Sequence, residues 1–448
     1  MQATRVSADP TKAFFVHTIT RDIKLEDCIF DLVDNSLDGA RNLLGNPEPS
    51  LVSGADFSKF AVDIRFSEDG FIISDNCGGI SLDDAINYAF TFGRRENDNP
   101  ESYSIGVYGI GMKRAVFKLG DSVAIRSTRA AAKGGAAEEP FVVSIDVPRW
   151  LKSDTWDFDL DSADPLEQPG VEIVVRQLHE NIATEFTNPA FEINLRRILA
   201  RDYSRFIDHG LVIRVNGKKV KAFEFRLLQN DQIRPFHSTF SLKGVKIEII
   251  SGMAAPPSDS ADPEEEGEKE DRSGWYVLCN DRMVVAADKT ELTGWGYDKK
   301  NRWHPQYRGF IGIILFSARI ADQLPLTTTK RSIDRDRDIY KLALSRMIEL
   351  TRSWIDYTNH RKASLDEAKA LEKSAVYVSA YATQPNNRAV YPSVSAAPRI
   401  REVTIQYPKL QRSVRELAQG FGDPGLSARE VGSRAFDYAY DELVRNGQ

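Results

Sequence analysis

The chain has 448 residues, 42% of them hydrophobic and 28% charged, which reads as a globular protein able to bury sizeable cores in two or three domains. A net charge of -6 argues against wholesale polyanion binding and leaves local basic patches open. Cys28, Cys77 and Cys279 lie far apart without C-x-x-C spacing, and neither an apolar signal core nor a membrane-spanning run is evident, so a reducing, cytoplasmic setting is expected.

In chain order, apolar periodicity predicts a helix over Leu25 to Leu44, then strands near Phe60 to Phe66 and Gly70 to Ser74. A helix over Leu82 to Phe90, a polar glycine-rich stretch from Thr91 to Gly111 and a helix over Met112 to Leu119 follow. "SVAIRS" and "FVVSIDV" read as a hairpin joined by "TRAAAKGGAAEEP". Helices and strands mix without a regular βαβ repeat, which favours an α+β layer of helices on a mostly antiparallel sheet. Strands dominate from Leu211 to Ser317, interrupted at residues 254–273 by an acidic, Pro- and Ser-rich insert expected to be disordered. A long helical segment covers residues 336–381, a linker residues 382–400, and a small C-terminal module residues 401–448, with a strand-like "REVTIQY" before two helices.

The first helix raises a question of charge. At about 100° per residue, Asp34, Asn35 and Asp38 fall within roughly 60° of Asp31, opposite an apolar stripe containing Ile29, Leu32, Val33 and Leu37. Acids at such spacing repel one another. Either the face meets water or something cationic relieves it. Two later stretches bear on the choice. "FIISDNCGGIS" runs a strand into Asp75 and two glycines, an Asx turn or a place where backbone approaches a ligand. "SIGVYGIGMKRAVFKLG" sets Gly106, Gly109 and Gly111 before a helix, whose free N–H groups suit phosphate.

Together the three stretches resemble the Bergerat-fold ATPases, the GHKL superfamily of gyrase, heat-shock chaperones, histidine kinases and MutL. "DLVDNSLDGA" is similar to the first box, and the resemblance implies that Asp31 activates the attacking water and Asn35 coordinates magnesium, with Asp38 also lining the nucleotide pocket. "DNCGGI" resembles the second box, which assigns Asp75 to the adenine amino group and matches Gly79 to the last glycine. "GVYGIGMKRA" resembles the third box, so Gly106, Gly109, Gly111 and Lys113 are expected to contact the phosphates of ATP. On this reading the acidic face lines the pocket, and magnesium with the triphosphate supplies the opposing charge.

The implied organisation is a GHKL domain with an N-terminal arm over residues 1–200, then an S5-like transducer over residues 201–335 and a small C-terminal α/β tail. "LVIRVNGKKV", "GWYVLCNDRMVV" and "PLTTTKRSID" look like the transducer of the MutL, topoisomerase and microrchidia (MORC) branches, in which Lys330 would reach the terminal phosphate, with Arg331 in reserve. "TTTKRSIDRD" is equally readable as a polar helix cap. Three departures stand out. Asp31 is one methylene shorter than the usual Glu, so slow turnover is expected; Cys77 stands where glycine is frequent; and Val171 replaces a Thr on the "PGVEIVV" strand. The expected activity is an ATP-gated, homodimeric clamp on a macromolecular client; a nucleotide sensor with little turnover is the alternative. Nucleic acid is not indicated: Arg196, Arg197, Arg201, Arg205, Lys218, Lys219 and Lys221 read more simply as a solvated basic face, and no helix-turn-helix or finger pattern occurs.

Overall fold

The computed structural model describes residues 10–93, 102–105, 109–129, 138–257, 271–297, 302–327, 332–393 and 404–445. The N-terminal arm up to residue 9, most of the acidic insert, Gly106, Lys330 and Arg331 lie outside the described residues. The chain divides into two compact units, Met1–Ser395 and Ala396–Gln448.

The first unit holds two large sheets. Eight strands form the first: β1 (Ala61–Ser67), β2 (Gly70–Asp75), β3 (Gly120–Thr128), β4 (Phe141–Asp146), β5 (Asp159–Ser162), β6 (Gly170–Leu178), β7 (Val212–Val215) and β8 (Lys218–Lys219). Their order is β5-β4-β3-β6-β2-β1-β7-β8, antiparallel except where β1 runs parallel to β7. β1 shows why the sheet has one helix-covered face: Val62, Ile64 and Phe66 are buried while Arg65 between them is exposed, the two-residue alternation of a half-buried strand. Its register sets Ile64 opposite Ile73 and Phe66 opposite Phe71. Onto the apolar face pack α1 (Lys12–Arg21), α2 (Leu25–Leu43), α4 (Gly111–Leu119), α5 (Val147–Leu151), α6 (Glu180–Phe186), α7 (Pro189–Asp202) and α8 (Ser204–Asp208). The helix expected over Leu82 to Phe90 is a single turn, α3 (Leu82–Asp84), that widens into a π-turn over Ala85–Ala89.

The second sheet comprises β10 (Phe236–Leu242), β11 (Val245–Met253), β12 (Gly274–Cys279), β13 (Arg282–Asp288) and β14 (Phe310–Ser317), in the order β10-β11-β14-β12-β13. Every residue of β12 and β14 is buried, as continuous apolar runs covered on both faces require. Phe310, Ile314 and Phe316 face the long helix α9 (Asp338–Arg361), whereas Ile311, Ile313 and Leu315 pack with Phe225, Leu227 and Tyr276. Gly312 makes room for the Trp275 ring, since a Cβ there would lie 2.3 Å from it.

Three expectations change. "LVIRVNGKKV" supplies β7 and β8 to the first sheet, because β7 pairs with β1 from Ala61↔Val212 to Ile64↔Val215; the second sheet begins later. The helical run after Asp334 breaks after Arg361 and resumes as α10 (Leu365–Lys373), where the Arg361 guanidinium holds Glu372 with bonds of 2.7 and 2.9 Å. β15 (Val376–Ser379) then pairs antiparallel with β9 (Arg226–Gln229). In the second unit the described residues contain α11 (Gln411–Gly420) and α12 (Ala428–Tyr440) but no strand, so the C-terminal tail is helical there, not α/β. Thr404–Tyr407 is exposed with no strand alongside among the described residues, and a strand needs a ladder partner. No helix among the described residues is long and apolar enough to cross a membrane.

Candidate functional site

α2 carries the acidic face, and the structure divides it. From Cys28 to Leu37 every residue of α2 is buried except Asn35, which is exposed. Asp34 is wholly buried; it accepts from the Tyr203 hydroxyl at 2.8 Å and pairs with Arg282 Nε at 2.7 Å. Asp38 accepts from Ser104 Oγ at 2.7 Å and from the Ile105 N–H at 2.8 Å. One turn further, Arg41 donates to the Asn280 carbonyl and to the Asp281 carboxylate, at 3.3 and 3.1 Å. Positions 34, 38 and 41 form one stripe at i, i+4, i+7, docked on the β12–β13 turn and on residues 104–105. The expectation that the whole acidic face lines a pocket therefore needs correcting: Asp34 belongs to a seam between the sheets, and Asp38 anchors the segment before the glycine loop. A helical wheel built on one element cannot register a second sheet that arrives from about 240 residues away.

Asp31 and Asn35 remain on the other edge. Asp31 is buried, and its Oδ2 receives Arg114 Nε at 2.5 Å. A Cβ on Gly111, the first residue of α4, would stand 3.3 Å from the Asp31 carboxyl carbon; the absent side chain lets the helix N-terminus lie against the acid. Ile110 caps α4 without a side-chain hydrogen bond, so the first N–H groups of this helix remain suited to an anion.

Asp75 ends β2 beside the same helix. Its Oδ2 accepts from Ser36 Oγ at 2.6 Å, and its Oδ1 from the N–H groups of Cys77 and Val171 at 2.9 and 3.3 Å. An ionised carboxylate offers about four lone-pair sites, so three donors leave one acceptor position for an exocyclic amine. Burial pushes the Asp75 carboxyl above the ordinary aspartate range, against the pull of those three donors. The turn that follows needs its glycines: Gly79 has φ +73°, and a Cβ there would sit 2.2 Å from the Thr128 carbonyl oxygen. Cys77 is a buried wall residue, and its carbonyl presses on Gly39 of α2, where a Cβ would be 2.7 Å away.

The glycine-loop residues part company. Gly109 has φ +66° and Gly111 opens α4. Lys113 turns inward: it is buried, and its ammonium donates to the Ala89 carbonyl at 3.0 Å and to the Gly109 carbonyl. It ties the π-turn to the loop, where a phosphate contact was expected. Sequence reasoning missed Ser36, Gly39 and Arg114. Gly39 carried a signal, since an interior helix glycine is unfavourable by about 1 kcal/mol relative to Ala and asks for a packing reason.

No cluster of three or more His, Cys, Asp or Glu capable of holding a metal occurs among the described residues. Magnesium beside nucleotides is usually held through one or two side chains plus phosphate oxygens and water; the amide oxygen of exposed Asn35 is a hard ligand of the kind such a site uses. Residues 23–139 match the family model of histidine kinase-, DNA gyrase B- and HSP90-like ATPases. The match covers all three boxes and supports the GHKL superfamily for this part of the chain, with the ATP binding that the superfamily implies. No curated protein matches the chain.

Proposed function

We propose that the protein is a magnesium-dependent ATP-binding switch with slow hydrolysis, closing as an ATP-gated homodimer on a macromolecular client. The observation that carries the reading is the meeting of three elements: the uncapped α4 N-terminus against Asp31, exposed Asn35 on the same helix edge, and Asp75 with one acceptor position left. Asp75 takes the adenine amino group, and the Gly79 turn fits the base. The backbone of Gly106, Gly109 and Gly111 cradles phosphates, while Lys113 braces that loop from beneath. Asp31 orients and deprotonates the attacking water. Asn35 would hold magnesium, which when bound would supply charge neutralisation to the phosphates. The second sheet with α9 acts as the transducer, and Lys330 reports the terminal phosphate to it.

Titration calorimetry tests the binding step. Magnesium-ATP should bind the wild-type chain, and Asn35→Ala should lose the magnesium-dependent part of that affinity. Binding unaffected by Asn35→Ala removes Asn35 as the metal ligand. Light scattering with a non-hydrolysable analogue should show mass rising toward a dimer; a nucleotide-loaded monomer at micromolar protein sinks the clamp. The sensor reading draws support from the Asp31–Arg114 ion pair, which occupies the base. Steady-state phosphate release separates the two, being absent for a pure sensor.

A further inference from the structure

Beside Asp31 stands a cation of the third stretch to which the resemblance assigned no role. Lys113 has its ammonium on backbone carbonyls, but the next residue, Arg114, sits in the first turns of α4 with its side chain 14% exposed. Only Nε engages Asp31. A guanidinium has five N–H donors, and those on the two Nη atoms make no other hydrogen bond among the described residues. Asp31 in turn has one oxygen on Arg114 and the other beside Gly111, whose Cβ would stand 3.5 Å from Oδ1. With its single negative charge, Asp31 thus covers both positive features of this edge, the guanidinium and the α4 N-terminus.

A polyphosphate brings more charge and more acceptor oxygens to the same place, and a planar guanidinium bonds phosphate as readily as carboxylate. We propose that Arg114 is exchanged between Asp31 and the nucleotide phosphates, so that the acid is masked by the cation until phosphate takes the cation away. The exchange rests on the ATP-binding reading above. It explains how one residue pair serves in turn as a lock within the protein and as phosphate ligand plus free base. It also gives a reason for the short acid: Asp31 meets Arg114 at 2.5 Å, and a longer side chain would overrun that contact. No bond is made or broken in this step; only the hydrogen-bond partner of Arg114 changes.

The test compares magnesium-AMP-PNP with adenosine, which lacks phosphates, on the full chain. Arg114→Met should weaken AMP-PNP binding about ten- to hundredfold, the worth of one hydrogen bond between charged groups, and leave adenosine affinity unchanged. Arg114→Lys, which keeps the charge without the fork, should recover part of the loss. A structure of the AMP-PNP complex should place a guanidinium N–H on a phosphate oxygen, with the Asp31 pair opened. AMP-PNP affinity within twofold of wild type in Arg114→Met, equal weakening of adenosine, or an intact Asp31–Arg114 pair in the complex overturns the exchange. Should Arg114→Met not fold, the Lys variant and the structure of the wild-type complex decide. A wild-type chain that binds neither compound overturns the ATP reading itself.

Discussion

Along one edge of α2, Asp34, Asp38 and Arg41 are taken up by the second sheet and by residues 104–105; along the other, the cleft edge of the proposed site, Asp31 meets Arg114 of α4 and Asn35 is exposed. The residue types are nearly the same, and what separates them is who answers the charge. At the seam the protein answers it with Arg282, Tyr203 and Asn280, none of them more than 2% exposed. On the cleft edge the answer is one partly exposed arginine and one exposed amide. Seam substitutions should accordingly register in stability, and cleft substitutions in binding and turnover.

The largest separation is expected from Asp31→Asn. The amide fills nearly the same volume and still accepts from Arg114, so melting should stay close to wild type. It cannot take a proton, and hydrolysis should fall about 100- to 10,000-fold, the usual contribution of a general base. Phosphate release and a thermal melt on one preparation check both halves. Wild-type hydrolysis with a collapsed melt would move Asp31 to the structural edge.

Arg282→Met should do the reverse. It leaves Asp34 buried beside a thioether, and breaking a buried pair by removing one partner typically destabilises by about 3–5 kcal/mol, a large share of the roughly 5–15 kcal/mol that holds a domain together. Adding Asp34→Leu should recover most of that loss, since a well-packed apolar pair often equals a buried ionic one. Denaturant titration of the single and double variants measures it. A double variant no better than the single would show that Arg282 acts through partners other than Asp34.

How much of this was open to sequence reasoning follows the same division. The residues of the proposed site lie within short local motifs, and it is the resemblance of those motifs to the GHKL boxes that grouped Asp31, Asn35, Asp75, Gly79, Gly109 and Gly111. The seam joins residues about 170 to 250 positions apart, such as Asp34 with Tyr203 and Asp34 with Arg282. No periodicity reports on such pairs, and so the acidic face was read as one surface when it is two. The same limit explains β7 and β8: "LVIRVNGKKV" reads as a strand pair from alternation and turn chemistry, but which sheet it joins is fixed by its parallel pairing with β1. Lys113 was misplaced for a different reason, since a lysine next to a glycine loop suggests phosphate until Ala89 and Gly109 present their carbonyls to it.

Asp75→Asn sharpens the comparison by pulling stability and binding apart in one residue. Its folded pKa lies above the unfolded value of 3.8 because of burial. The stability linked to it is therefore fully present below that value and is lost as pH rises through the folded pKa. Glu248 in the second sheet runs opposite: although burial pushes it up, hydrogen bonds from His237, the Leu51 N–H and Ser50 hold it below 4.5. Its contribution is present above 4.5 and lost as pH falls through the folded value. At neutral pH Asp75→Asn should leave the melt unchanged or raised, because the amide oxygen can keep the Cys77 and Val171 N–H groups while its NH2 meets Ser36. ATP affinity should drop about tenfold or more, the NH2 now opposing the adenine amine. Melts across pH 3 to 7 with ATP titrations at pH 7 check both. A lowered neutral-pH melt would show that the carboxylate is structural.

The smallest effect is expected where the two edges meet. Ser104→Ala removes one donor to Asp38, the hydroxyl at 2.7 Å, and leaves the Ile105 N–H at 2.8 Å in place. The Asn280 side chain keeps its bond to the Ser104 carbonyl at 3.1 Å, which the substitution does not touch. A hydrogen bond of this kind is worth about 1 kcal/mol net, somewhat more when the acceptor is charged, so the melt should fall by a few degrees at most. Residues 102–105 lead into the glycine loop, and a segment held by one fewer bond should close over nucleotide with a slightly weaker affinity, about two- to threefold for AMP-PNP. Adenosine should bind as before, since Asp75 and its donors are untouched. Loss of stability beyond about 3 kcal/mol would mean that Asp38 is a seam charge in full, answered by this hydroxyl as Asp34 is by Arg282. No change in either AMP-PNP binding or the melt would show that the Ser104 hydroxyl contributes nothing to holding Asp38 and that the Ile105 N–H suffices.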